Sequence, residues 1–223
     1  MDNSNKKNSL LIKKISGIGV FAALAYITTL VCQIIPKVDF LSLELKDAVI
    51  SIASFVYGPL VAPLISLVVS FVEFFTISTT GFWGFIMNFV SSTVFSLTAS
   101  LIYKFMKSYT GAIIGLGTSV IITTTVMLGL NPLIVPLYSG APTEVVVAMI
   151  PTLLLPFNFA KALMNGAVSL LLYKPIITAM RTARLVLPSE YKTTFNKSSI
   201  ITIIVGGVAL LCAFGVLLWL WPR

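Results

Sequence analysis

The chain has 223 residues, 57% of them hydrophobic and 10% charged, with a net charge of +8 and no histidine. An apolar share that high excludes an ordinary soluble domain and implies a polytopic membrane protein, with room for about six or seven spans of roughly 20 residues each. Without histidine neither a His/Cys metal site nor a Ser/His/Asp triad can be built; HExxH, GxSxG and a phosphate-binding Gly-rich loop with its Lys are also missing, so no catalytic residues, metal or ATP hydrolysis are expected.

Residues 1–15 form a basic N-terminus with Lys6, Lys7, Lys13 and Lys14. They resemble the n-region of a signal peptide. The apolar run behind them is too long and no A-x-A-like cleavage site follows, so a retained first span is expected over Ser16–Ile35, ended by Pro36. Lys37–Lys46 reads as an outer loop of mixed charge. Asp47–Tyr57 is apolar but too short to cross a bilayer straight, and Gly58-Pro59 breaks it before a fuller span, Leu60–Ile77. After a turn at Ser78–Gly81 comes Phe82–Phe105, then a short basic loop with Lys104, Lys107 and Ser108. Thr110–Leu137 follows, with breaks expected near Asn131-Pro132 and Pro136. A polar turn, Tyr138–Glu144, precedes Val145–Met180. There Pro151 and Pro156 are expected to interrupt, with the helix proper starting at Pro156 and Pro175 kinking its end. Residues 182–198 are a basic linker, and 199–223 carry one more apolar span. The predicted fold is all-α: a six-helix membrane core over 16–181 with a short second helix, plus an appended C-terminal seventh helix. Cys32 and Cys212 each lie in an apolar run and read as core or lipid-facing residues. No internal repeat is visible, which weighs against an inverted-repeat carrier.

Alternating sides place Lys6, Lys7, Lys13, Lys14, Lys104, Lys107, Lys174, Arg181, Arg184, Lys192 and Lys197 together. Only Lys37, Lys46 and Arg223 fall on the other side. The positive-inside rule then puts the N-terminus and the linker in the cytoplasm of a multi-pass cell-membrane protein, and the basic charge needs no nucleic acid partner.

With that orientation Asp47, Glu73, Asn88, Asn131, Asn158 and Lys161, from five segments, lie at one depth near the outer face. Ionisable groups at membrane depth are costly and usually functional. Six polar groups at one level, above almost purely apolar inner halves, point to a pocket opening outward rather than a conducting path. Asn158, Lys161 and Asn165 are spaced i, i+3, i+7 on one helix face. Asn165 lies about a turn deeper and reads as packing. Asparagine offers both donors and an acceptor and lysine donors only, which suits a carbonyl-rich ligand bearing an N–H. Nearby aromatics, among them Phe40, Phe74 and Tyr138, could stack on a planar ring. Capture of a small molecule, secondary transport and a ligand-free structural role all remain open on these residues alone.

Four stretches then carry a resemblance: "FLSLELKDAVISIASFVYGPL" (40–60), "GFIMNFVSSTVFSLTASLIYK" (84–104), "VMLGLNPLIVPLY" (126–138) and "LPFNFAKALMNGAVSLLLYKP" (155–175). The chain is similar to the substrate-binding S components of energy-coupling factor vitamin transporters, and most similar to their riboflavin-binding branch. The resemblance implies a six-helix fold whose pocket is closed by the loop between helices 1 and 2. It implies ligand contacts from Asn131, Asn158 and Lys161, with Phe40, Leu41, Ser42 and Leu43 lying over the ligand; Asp47, Glu73 and Asn88 join the expected site by their depth alone. Riboflavin would be transported cargo and not a cofactor. It also implies a membrane coupling subunit driven by two ATPases, docked through small residues of helix 1, here Gly19, Ala22 and Ala23, which permit close approach in the bilayer. Glu44, Lys46, Asp47 and Glu73 make this pocket more charged than riboflavin requires. A B6-type vitamin, pantothenate or a pyrimidine precursor therefore stays open as the substrate, with Glu73 either paired to Lys161 or facing a basic ligand.

Overall fold

A computed structural model describes residues 3–183 and 197–220. Within them eight α-helices run in the order α1 (Asn3–Cys32), α2 (Lys46–Tyr57), α3 (Val61–Thr76), α4 (Gly81–Met106), α5 (Tyr109–Ser139), α6 (Thr143–Ala148), α7 (Leu155–Thr182) and α8 (Lys197–Leu220). A π-helical turn, Ile150–Leu154, joins α6 to α7. Five helical stretches are long and apolar enough to cross a bilayer, and α3 is a shorter apolar helix.

The short second segment is the centre of the molecule. Nine of the twelve residues of α2 are buried, against α1, α3, α4 and α7. Its apolar residues Val49, Ile50, Ile52 and Ala53 join Phe21 and Ala25 of α1, Val61, Ala62, Ile65 and Val69 of α3, and Ile177 and Met180 of α7 in one core. Gly58, at φ 105, takes the backbone conformation that ends α2 and turns the chain into α3.

The chain departs from the predicted breaks at the prolines of α5. Pro132 and Pro136 both lie inside one continuous helix of 31 residues. Proline removes one ladder bond and crowds the carbonyl four residues back, but helix–helix contacts and polar side chains can absorb that loss in a membrane protein. Helix α5 packs against α4 and α7, while Asn131 Nδ2 donates to Met127 O at 2.6 Å and Ser139 Oγ donates to Val135 O at 2.8 Å beside the two prolines. Ser108 caps the start of α5 by accepting from Gly111 N at 3.1 Å. Before α7 the predicted interruption is present: Pro151 opens the π turn, and Pro156 is the second residue of α7. The first helix stops at Cys32, three residues short of the predicted end, where Gln33–Pro36 turns into the loop before α2.

Helices α4 and α5 approach closely at Gly115. A Cβ there would stand 2.7 Å from the carbonyl oxygen of Ala99, so only glycine permits this backbone contact. Gly115→Ala is expected to force the helices apart and cost about 1–3 kcal/mol of stability, seen as a lower melting midpoint in detergent. An unchanged midpoint would show that the contact yields freely.

Helix α8 packs on α7 and reaches the loop between α1 and α2. Ala213 and Leu217 are buried in one apolar cluster with Val38 of the loop and Phe157, Ala160 and Met164 of α7, flanked by Leu41, Leu43 and Leu45. Of the three α1 positions expected at a partner surface, Gly19 and Ala23 are exposed. Ala22 instead packs against the core, which takes it off the exposed stripe.

Candidate functional site

At one end of the bundle α3, α4, α5 and α7, with the loop between α1 and α2, enclose a cavity. Its wall includes Phe40, Leu41, Ser42 and Glu44 of the loop, Glu73 of α3, Asn88 of α4, Asn131 of α5, and Asn158 and Lys161 of α7. The structure thus brings eight of the ten sequence-predicted substrate residues around one space. Leu43 and Asp47 are not in that wall, for different reasons. Leu43 packs into the apolar cluster under α8. Asp47 is held in the core, where its carboxylate accepts from Ser92 Oγ and its carbonyl accepts from Ser51 Oγ at 2.7 Å and Ser96 Oγ at 3.3 Å. A buried carboxylate used in this way ties α2 to α4.

The loop over the cavity owes its shape to a tight turn. Val38 and Leu41 exchange both backbone hydrogen bonds, at 3.0 and 2.9 Å. Asp39 sits at φ 57, a left-handed conformation that aspartate tolerates better than most residues. Lys37 Nζ donates to Thr79 Oγ1 at 3.1 Å, fastening the loop to the α3–α4 turn.

Asn131 and Asn158 share one geometry. Each donates a carboxamide N–H to the carbonyl one helical turn back, Asn131 to Met127 at 2.6 Å and Asn158 to Leu154 at 2.7 Å. A backbone carbonyl can only accept, which fixes the amide orientation, with the oxygen and the second N–H directed elsewhere. Each asparagine lines the cavity with an acceptor and a donor left over from that bond.

The charged residues are paired differently from expectation. Glu73 does not meet Lys161. Lys46 donates to Glu73 Oε2, Asn88 Nδ2 donates to the same oxygen at 3.1 Å, and Thr29 Oγ1 donates to Oε1 at 2.9 Å. Glu73 thus collects donors from α1, α2 and α4, and at 3% exposure it is a structural hub as well as a wall residue. Lys161 instead donates to Glu44 Oε2 at 3.0 Å. The same oxygen lies 3.3 Å from Lys46 Nζ, and Ser42 Oγ donates to Oε1 at 3.3 Å. Burial alone would raise the Glu44 carboxyl, but the ammonium groups of Lys161 and Lys46 outweigh it and hold the group down at about 2. A depressed folded value contributes stability above the ordinary carboxylate range and loses it only as the pH falls toward 2, so Glu44 is an anion under all ordinary conditions.

The sequence reading counted Glu44 among the charges of the pocket without giving it a partner, and it missed Ser70. Ser70, one turn before Glu73 on α3, lines the same cavity, and its buried hydroxyl has no hydrogen-bond partner among the described residues. Its spacing from Glu73 was the available signal. Asn165, read as packing, holds three parts together: its Oδ1 accepts from Ala48 N at 2.9 Å, and its Nδ2 donates to Glu44 O at 2.8 Å and Lys161 O at 3.0 Å.

A bundle of apolar helices around a polar, lid-covered cavity at one end defines a membrane protein built to hold a small molecule. The model of the ECF transporter substrate-specific component family matches residues 13–177, and the chain belongs to that family of membrane transport components, which is not a family of enzymes. It is 28% identical over 188 residues to the riboflavin transporter RibU of Staphylococcus aureus (strain TCH60), covering 81% of this chain and 99% of that protein. A solved structure described as the S component of a bacterial ECF transporter is also similar, with a TM-score of 0.65 and 26% identity over 77% of this chain and 99% of that one. Both the family match and the solved S component therefore account for the core. The family match ends before α8 begins.

Proposed function

We propose that the protein is the riboflavin-binding S component of an energy-coupling factor transporter, capturing the vitamin at the outer face and passing it inward with an ATP-driven partner. One observation carries the reading: Asn131 and Asn158 each present an acceptor and a donor to a cavity that also holds the Lys161 ammonium. That combination matches the alternating carbonyl and N–H groups along the polar edge of an isoalloxazine ring, with Phe40, Phe74 and Phe157 in the same wall for stacking. The likeness to RibU supports it. In this reading Leu41, Ser42 and Glu73, with Asn88, shape the remaining wall, and Ser70 adds a hydroxyl. The membrane coupling subunit and two ATPases supply the energy, and the exposed Gly19 and Ala23 of α1 form the docking stripe. The basic bias of the N-terminus places it in the cytoplasm.

The test is purification in detergent followed by absorbance and flavin-fluorescence titration. A yellow preparation, or quenching of added riboflavin, is expected. A colourless protein that ignores riboflavin but gives a calorimetric response to pyridoxal or pyridoxamine would move the assignment to a B6-type vitamin. Uptake into liposomes is expected only with the ATPase module; uptake by the protein alone on an ion gradient would make it a secondary carrier. Asn158→Ala is expected to weaken riboflavin binding by about 1–3 kcal/mol, or roughly tenfold to a hundredfold in Kd. An unchanged Kd would remove Asn158 from the ligand contacts.

A further inference from the structure

We propose that Glu44 sets the charge class of the ligand: by neutralising Lys161 inside the pocket, it tunes the site to a molecule with no net charge and turns away anionic forms of the same molecule. The inference rests on the vitamin-binding reading of this cavity but not on which vitamin it is.

The charges around the cavity balance. Its wall contains two lysines, Lys37 and Lys161, and two glutamates, Glu44 and Glu73. Directly behind it, Lys46 and Asp47 add one charge of each sign. Glu44 is the member that decides how Lys161 acts. With its carboxylate 3.0 Å from the ammonium, Lys161 can still donate hydrogen bonds to a carbonyl, because an ammonium has three N–H groups. It is not an uncompensated positive charge, so it gives an anion little net attraction. Glu44 is protected from water at 4% exposed, while 15% of the Lys161 side chain is exposed; burial of the carboxylate keeps its charge strongly felt.

Glu44 is not an incidental neighbour. Asn165 Nδ2 holds its backbone carbonyl, Ser42 holds its second oxygen, and Lys46 braces it from behind. The carboxylate is held by Ser42, Lys46 and Lys161 and its backbone by Asn165, which keeps it beside Lys161. Among the substrates the sequence left open, the balance favours riboflavin and pyridoxine, which are neutral, over pantothenate, which is an anion, and phosphorylated forms of the vitamins are disfavoured on the same ground.

The experiment measures Kd for riboflavin, riboflavin 5′-phosphate, pyridoxine and pantothenate with the full-length wild type and with Glu44→Gln, which keeps the side-chain size. The wild type is expected to favour the neutral over the phosphorylated flavin by at least a hundredfold. Removing one negative charge shifts the energy of an anion on the order of 10 Å away by about tenfold per unit charge at an effective dielectric near 20, so Glu44→Gln is expected to narrow that ratio at least tenfold. If Glu44→Gln does not fold, Lys161→Gln gives the mirror test and is expected to widen the ratio. Wild-type binding of riboflavin 5′-phosphate within tenfold of riboflavin, tight binding of pantothenate, or a ratio that neither variant moves would overturn the proposal. Preference for pyridoxine over riboflavin, with the anions still rejected, would overturn the riboflavin reading and leave this one standing.

Discussion

Lys46→Met is expected to destabilise the folded protein by about 3–5 kcal/mol, the usual cost of removing one partner from a buried ion pair. For a chain of this length that is a fall of roughly 6–20 °C in the melting midpoint. Lys46 is 1% exposed and stands between two carboxylates, Glu44 at 3.3 Å and Glu73 on its other side. Methionine fills the volume but leaves both glutamates facing each other without the cation that joins them. The two sites then fare differently. Glu44 keeps Lys161 and Ser42, whereas Glu73 keeps only the neutral donors Thr29 and Asn88. The damage should therefore lie at Glu73, and Lys46→Met combined with Glu73→Gln should recover more than half of the lost stability, since a neutral amide suits neutral donors. A single variant that melts with the wild type, or a double variant no better than the single, would show that Lys46 does not hold α2 against α3. The measurement is a thermal unfolding curve in one detergent for all three proteins.

How much of this was visible beforehand depends on the kind of feature. The short α2 could be read from Asp47–Tyr57 because length against bilayer thickness and a Gly58-Pro59 break are local properties. The start of α7 within one residue of Pro156 is likewise local. The continuity of α5 through Pro132 and Pro136 was not, because packing against neighbouring helices can hold a proline-containing helix together, and the sequence names no neighbours. Depth along the bilayer could be counted, and the structure does gather Glu73, Asn88, Asn131, Asn158 and Lys161 around one cavity. Rotation about each helix axis could not be counted from five separate segments. That is why Asp47 turns into the core beside Ser92 and Ala22 packs inward. Charge pairing was the least accessible of all. Two acids and two lysines at one depth allow several pairings, and the loop carrying Glu44 decides between them by bringing it, rather than Glu73, to Lys161.

Asn165→Leu is expected to cost about 2–4 kcal/mol, the range for leaving one buried backbone group unpaired and weakening a second, and to speed ligand release. Asn165 is completely buried, and leucine has nearly its shape, so packing changes little and the loss falls on hydrogen bonds. Ala48 N, in the first turn of α2, keeps only a 3.3 Å bond to Leu45 O once Asn165 Oδ1 is gone. The carbonyl of Glu44 loses the Nδ2 donor that anchors this residue from α7. The first loss loosens α2; the second frees the base of the lid and, with it, the carboxylate that positions Lys161. Asn165→Asp separates the two effects. Its carboxylate still accepts from Ala48 N but cannot donate to Glu44 O, and it repels that carbonyl. If the lid anchor matters for the ligand, Asn165→Asp should release riboflavin as fast as Asn165→Leu or faster, while losing less of the contribution from α2. Melting midpoints and fluorescence-monitored dissociation rates for both variants provide the comparison. Dissociation at the wild-type rate in Asn165→Leu, despite a lowered midpoint, would confine Asn165 to the core and detach it from the lid.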